Sequence, residues 1–77
     1  MKLEILGSGC ARCQQLTENT KAAVGALGLD AEIVKVEDVA TIAGRGVMAT
    51  PALAVDGRVR ISGRVATPAE IERLLRH

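Results

Sequence analysis

No phenylalanine, tyrosine or tryptophan occurs in this chain. Any core must therefore be assembled from Leu, Ile, Val, Ala and Met, without the large buried area that an aromatic ring supplies. The same absence removes the platforms on which unpaired bases stack. The ten basic residues are spread along the chain and face nine acids, for a net charge of +1. A binder of single strands combines a basic track with aromatics, so nucleic acid is not an expected partner. No stretch approaches the roughly 20 apolar residues of a membrane-spanning helix, and no membrane association is expected. The run Met1–Leu6 carries charges at Lys2 and Glu4 and lacks a long signal-type segment. The default compartment is the cytosol. Histidine occurs once, at His77, a terminal position ill suited to catalysis or metal binding.

What is present is ordinary for a globular chain, with 48% hydrophobic and 25% charged residues. Seventy-seven residues amount to one domain, 1–77, with no room for a second core. Cysteine occurs twice, as Cys10-Ala11-Arg12-Cys13. In a cytosolic chain such a pair is more often redox or metal chemistry than a staple. Loop-closure entropy agrees, because a four-residue ring stabilises a fold by only about 2 kcal/mol on the chain-entropy model.

The pair lies where Leu3-Glu4-Ile5-Leu6, an alternating strand, passes through Gly7-Ser8-Gly9 into a helix. Cys13, Leu16, Thr17, Thr20, Ala23, Val24 and Leu27 form its stripe of period near 3.6. Gly28 supplies the left-handed residue that ends it. A helix N-terminus favours the thiolate over the thiol, since unpaired N–H groups and the helix dipole face it. The thiolate attacks disulfides, so the placement is chemical as well as structural.

Ala31–Val36 predicts a second strand, parallel to the first through a right-handed crossover. Residues 38–43 predict a short helix with Asp38 at its start, and Gly44 and Gly46 loosen the chain around Arg45. After Thr50-Pro51, the apolar run Ala52–Val55 predicts a strand covered on both faces. Asp56-Gly57 signals a hairpin into the outer strand Arg58-Val59-Arg60-Ile61. Thr67-Pro68-Ala69-Glu70 is an N-cap, a first-turn proline and a capping-box glutamate, opening a helix whose buried face is Ile71, Leu74 and Leu75. The order is β-α-β-α-β-β-α.

That order, with CxxC after the first strand and Thr-Pro before the third, resembles the thioredoxin/glutaredoxin fold. It is most similar to the small "redox-active disulfide" proteins of archaea and bacteria. Gly7-Ser8-Gly9-Cys10-Ala11-Arg12-Cys13 and Gly46-Val47-Met48-Ala49-Thr50-Pro51-Ala52-Leu53 look like that group's two signature segments. The resemblance implies an α/β fold with a four-stranded mixed sheet in the order 2-1-3-4 and helices on both faces. It implies a thiol–disulfide oxidoreductase in which Cys10 is the exposed nucleophile and Cys13 the resolving thiol. Pro51 would follow a cis peptide bond and face the pair, leaving the Thr50 backbone free to pair with an extended substrate segment. The implied partners are a protein or small-molecule disulfide or dithiol and a reductase; no cofactor is implied, and nothing demands more than a monomer. The active-site stretch departs from thioredoxin itself, with Ala11 and Arg12 between the cysteines instead of Gly-Pro and no flanking Trp. Arg12, beside the pair, can further favour a thiolate.

Alternation along the first strand places Glu4 in solvent; its other reading is a buried carboxylate accepting a proton from Cys13, as an acidic residue does in thioredoxins. Arg45 reads first as a solvated loop arginine, its other reading being the partner of an anion, and Ser8 reads as a turn or cap residue that can bond a cysteine sulfur. The rival to thiol exchange is a soft-metal module, because two thiolates suit Cu(I). Against it stand a loop without Met before Cys10, the helix-like segment after the second strand, and Thr50-Pro51, which has no role there.

Overall fold

The computed structural model describes residues 1–76, so the expectation for His77 lies outside the described residues. The elements are β1 (Lys2–Leu6), α1 (Ala11–Leu27), β2 (Glu32–Val36), α2 (Val39–Gly44), β3 (Ala52–Val55), β4 (Arg58–Ser62) and α3 (Pro68–Leu75). They form one four-stranded sheet in the order β2-β1-β3-β4. β1 runs parallel to β2, with Ile5 opposite Lys35, and antiparallel to β3, with Ile5 opposite Leu53. This is the mixed α/β sheet, in the strand order that the resemblance implies.

Alternation along β1 sorts its side chains onto two faces. Leu3 and Ile5 join Leu16, Ala23, Leu53, Ile61, Ile71 and Leu75 in a core between the sheet and the α1 and α3 helices. Leu6 points the other way and packs with Ile42, Val47, Ala52 and Ala54 beneath α2. Both layers are built from aliphatic groups alone. Ala52, Leu53 and Ala54 are each fully buried, as a strand covered on both faces requires.

Local signals in the sequence explain where elements start and stop. Gly28 takes φ 64° and caps α1, its N–H bonding to Gly25 and Val24 carbonyls. Thr67 and Glu70 form the reciprocal capping box of α3 with Pro68 in its first turn. Asp38 caps α2 by accepting from the Thr41 N–H. In β4 the alternation is only half realised. A register shift at Leu53/Ala54 interrupts the pairing, and Val59 stays 37% exposed while Ile61 is buried.

Candidate active site

Cys10 is itself the N-cap of α1: its sulfur accepts from the Cys13 N–H at 3.2 Å. Ser8 lies exposed in the preceding bend, the turn rather than the cap of its two readings, while the helix's first turn supplies the sulfur's backbone partner. Cys13 sits one turn into the helix and is 5% exposed, whereas Cys10 is exposed. Both are free thiols, and their sulfurs lie 2.7 Å apart.

The two thiols differ electrostatically. The hydrogen bond from the Cys13 thiol, joined by backbone N–H groups of the helix start, pulls Cys10 below the ordinary thiol value. Burial pushes Cys13 up, and giving its proton to Cys10 pushes it further. The exposed thiol is thus shifted toward thiolate and the buried one toward thiol.

Gly7 makes this placement sterically feasible. A Cβ at Gly7 would collide with the Cys13 sulfur, and the Pro51 Cα lies 3.8 Å from the same position. Gly7→Ala should therefore displace the buried thiol. We expect a stability loss of about 1–3 kcal/mol, as for overpacking elsewhere, visible in urea unfolding, together with slower closure of the Cys10–Cys13 bridge. Unchanged stability and unchanged closure would show that the site yields easily.

Opposite the pair, the Thr50–Pro51 peptide bond is cis. Pro51 is fully buried, Thr50 is exposed, and among the described residues no backbone hydrogen bond occupies the Thr50 N–H or carbonyl. An open groove lined by Ser8, Val39, Ile42, Ala43, Val47, Met48 and Thr50 runs beside it. Met48 is 96% exposed and Val39 72%.

The Arg12 guanidinium donates to the Gly63 carbonyl at 3.1 Å. What Arg12 contributes to the Cys10 thiolate is its backbone N–H. Glu4 overturns the expectation that it is solvated, and Arg45 takes the other of its two readings, as the partner of an anion. Glu4 is 4% exposed, and Arg45 grips its two oxygens with Nη1 at 2.8 Å and Nη2 at 2.7 Å. The physical reason is α2: it covers the β1 face that alternation alone leaves wet, and Arg45 at its C-cap supplies the countercharge. The Arg45 hydrogen bonds hold the Glu4 carboxyl below the usual carboxylate value, against the opposing effect of burial. The pair carries no sequence signal short of knowing that fold. Among the described residues, no group of three or more His, Cys, Asp or Glu side chains is placed to hold a metal ion, and no helix is long and apolar enough to cross a membrane.

Comparison with known proteins accords with this geometry. A family model described as "Thioredoxin domain" matches residues 1–76. The chain is 48% identical over 75 residues to a thioredoxin of Methanothermobacter thermautotrophicus, covering 97% of both chains. It is 45% identical over 74 residues to a thioredoxin of Methanocaldococcus jannaschii, covering 96% of this chain and 85% of that one. The chain belongs to the thioredoxin family, and its activity is that of a thiol–disulfide oxidoreductase.

Proposed function

We propose that Cys10 and Cys13 are the redox couple and that the chain reduces a partner disulfide presented on an extended segment. The Cys10 thiolate attacks one partner sulfur and the other leaves as a thiolate, giving a mixed disulfide. Cys13, losing its proton, then attacks the Cys10 sulfur; the second partner thiolate leaves and the Cys10–Cys13 bridge closes. Two electrons pass from the dithiol to the partner, and a separate reductase resets the pair. The observation that carries this reading is the asymmetry of the thiols, one exposed and shifted toward thiolate, the other buried and shifted toward thiol.

The unpaired Thr50 backbone and the groove with Met48 and Val39 support an extended, partly apolar partner segment, held by strand-like hydrogen bonds beside Cys10. The protein works as a monomer in a reducing compartment such as the cytosol.

The test is a redox titration of metal-free protein, reading thiol status by alkylation mass shift. A reversible two-electron transition between about −270 and about −120 mV, the span of known CxxC couples, is expected. Partial alkylation of the reduced protein should modify Cys10 first, with a pH midpoint below the ordinary thiol value. A pair that forms no intramolecular bridge under mild oxidation would overturn the reading and leave Cu(I) binding as the chemistry to measure next.

A further inference from the structure

Closing the Cys10–Cys13 bridge releases one proton, and it does so while a partner is covalently held on Cys10. Along the groove at Thr50 that partner covers the front of the site. Cys13 is already 5% exposed before any partner arrives, so its proton needs another way out. Glu4 does not provide one. Its carboxylate is held by Arg45 and shares its side of β1 with Leu6, beneath α2. The Cys13 sulfur lies against Gly7, on the side of Ile5 and α1.

On that side a cavity of about 50 Å³ borders Gly7, Gly9, Cys13, Gln14, Lys35 and Glu37. At roughly 10–15 Å³ per molecule it has room for about three to five waters. The Glu37 carboxylate reaches toward the site, its Oε1 3.9 Å from where a Cβ of Gly9 would stand. Gln14, Thr17 and Lys35 also line a broad polar cleft with Ala11, Gln15 and Glu18, which connects this side of the site to bulk solvent. The charged and titratable groups around Cys13 are then few. Cys10 faces it from the helix start. Lys35 and Glu37 face it from β2 and the turn that follows. Arg12 is turned to Gly63, and Glu4 is across the sheet.

We propose that this cavity is the proton exit of Cys13 during bridge closure, with Glu37 accepting the proton through water. The inference rests on the assignment of Cys13 as the resolving thiol. In that step the Cys13 S–H bond breaks and the Cys10–Cys13 bond forms. The partner sulfur leaves with the electron pair of the mixed disulfide, and the proton passes to the Glu37 carboxylate and on to the polar cleft. Glu37 is exposed and acts through water, so it is a positioning residue for the proton and touches no reacting atom.

A purely electrostatic role for Glu37 predicts the opposite sign. A negative charge near Cys13 opposes its ionisation, so removing it would speed closure. The test uses a short extended peptide with a fluorophore and a cysteine joined by a disulfide to 5-thio-2-nitrobenzoate. Absorbance of the released aromatic thiolate, the better leaving group, reports attack by Cys10. The fall in fluorescence anisotropy reports release of the peptide by Cys13.

In Glu37→Gln we expect an unchanged first phase and a second phase slowed about tenfold or more at neutral pH, modest beside the ~10²–10⁴-fold typical of acid–base groups. The deficit should shrink as pH rises and hydroxide takes over, and added imidazole or Glu37→Asp should restore part of the rate. A second phase equal to wild type, or faster, overturns the proton exit. Absence of the first phase in the wild-type protein overturns the exchange mechanism itself and the proposal with it.

Discussion

Cys10→Ser should abolish disulfide reduction, and Cys13→Ser should stop it one step later. A serine hydroxyl is not ionised at neutral pH, so without Cys10 no exposed thiolate remains to begin the reaction. Turnover with a disulfide substrate should fall by at least about 10³-fold, in the range seen when an essential nucleophile is removed. In Cys13→Ser the Cys10 thiolate still attacks, but nothing follows to displace the partner. The product is a stable adduct, seen by mass spectrometry as protein plus one half of the substrate and lost on adding dithiothreitol. The two thiols are also coupled through their hydrogen bond at 2.7 Å. Serine at position 13 can still donate to the Cys10 sulfur; alanine cannot. The pH midpoint for alkylation of Cys10 should therefore move upward further in Cys13→Ala than in Cys13→Ser. A Cys13→Ser protein that accumulates no adduct under oxidising conditions would refute the two-step exchange.

The elements that could be read from the sequence are those whose signals are local. The capping box at Thr67 and Glu70, the stripe of α1 and the left-handed Gly28 each depend on residues within a few positions of one another, and each is found where expected. The strand order comes from the family resemblance, which rests on two local motifs, CxxC after β1 and Thr-Pro before β3. Long-range side-chain partners were not legible. Glu4 and Arg45 are 41 positions apart; alternation assigns Glu4 to a face of β1, but only α2 makes that face dry. Arg12 is another case. Its position between the cysteines is local, while the direction of its guanidinium is set by the Gly63 carbonyl, 51 positions away. Lys35 and Glu37 read as ordinary polar positions at a strand's end. Nothing in their spacing shows that a parallel pairing of β1 with β2 brings them beside Cys13.

Arg45→Ala should be the most destabilising change of charge in the chain and should invert the response of stability to acid. In the native protein the folded-state carboxyl of Glu4 is held below its ordinary value, 4.5. Its contribution is therefore present above that value and is lost as pH falls through the lower, folded-state one. Removing Arg45 takes away both hydrogen bonds and leaves the 4% exposed carboxyl with its burial alone. Its folded-state pKa then rises above the unfolded one. The penalty is absent below the ordinary carboxylate value, grows as pH rises from there toward the folded one, and is complete above it. Breaking a fully buried pair costs about 3–5 kcal/mol; the Arg45 side chain is 35% exposed, so a loss of about 2–4 kcal/mol at neutral pH is expected. A domain of this size holds only about 4–12 kcal/mol in all, and the variant should be close to unfolding. Urea denaturation of the reduced protein, at neutral pH and again near pH ~4, gives the comparison: the native protein weakens on acidification, while the variant recovers part of its deficit. Glu4→Leu combined with Arg45→Met should restore most of the stability at neutral pH, since an apolar pair of similar volume carries no desolvation penalty. If Arg45→Ala unfolds within about 0.5 kcal/mol of the native protein, with the same slope against pH, the ion pair contributes nothing that solvent does not already supply. The β1 face under α2 would then be held by Leu6, Ile42 and Val47 alone.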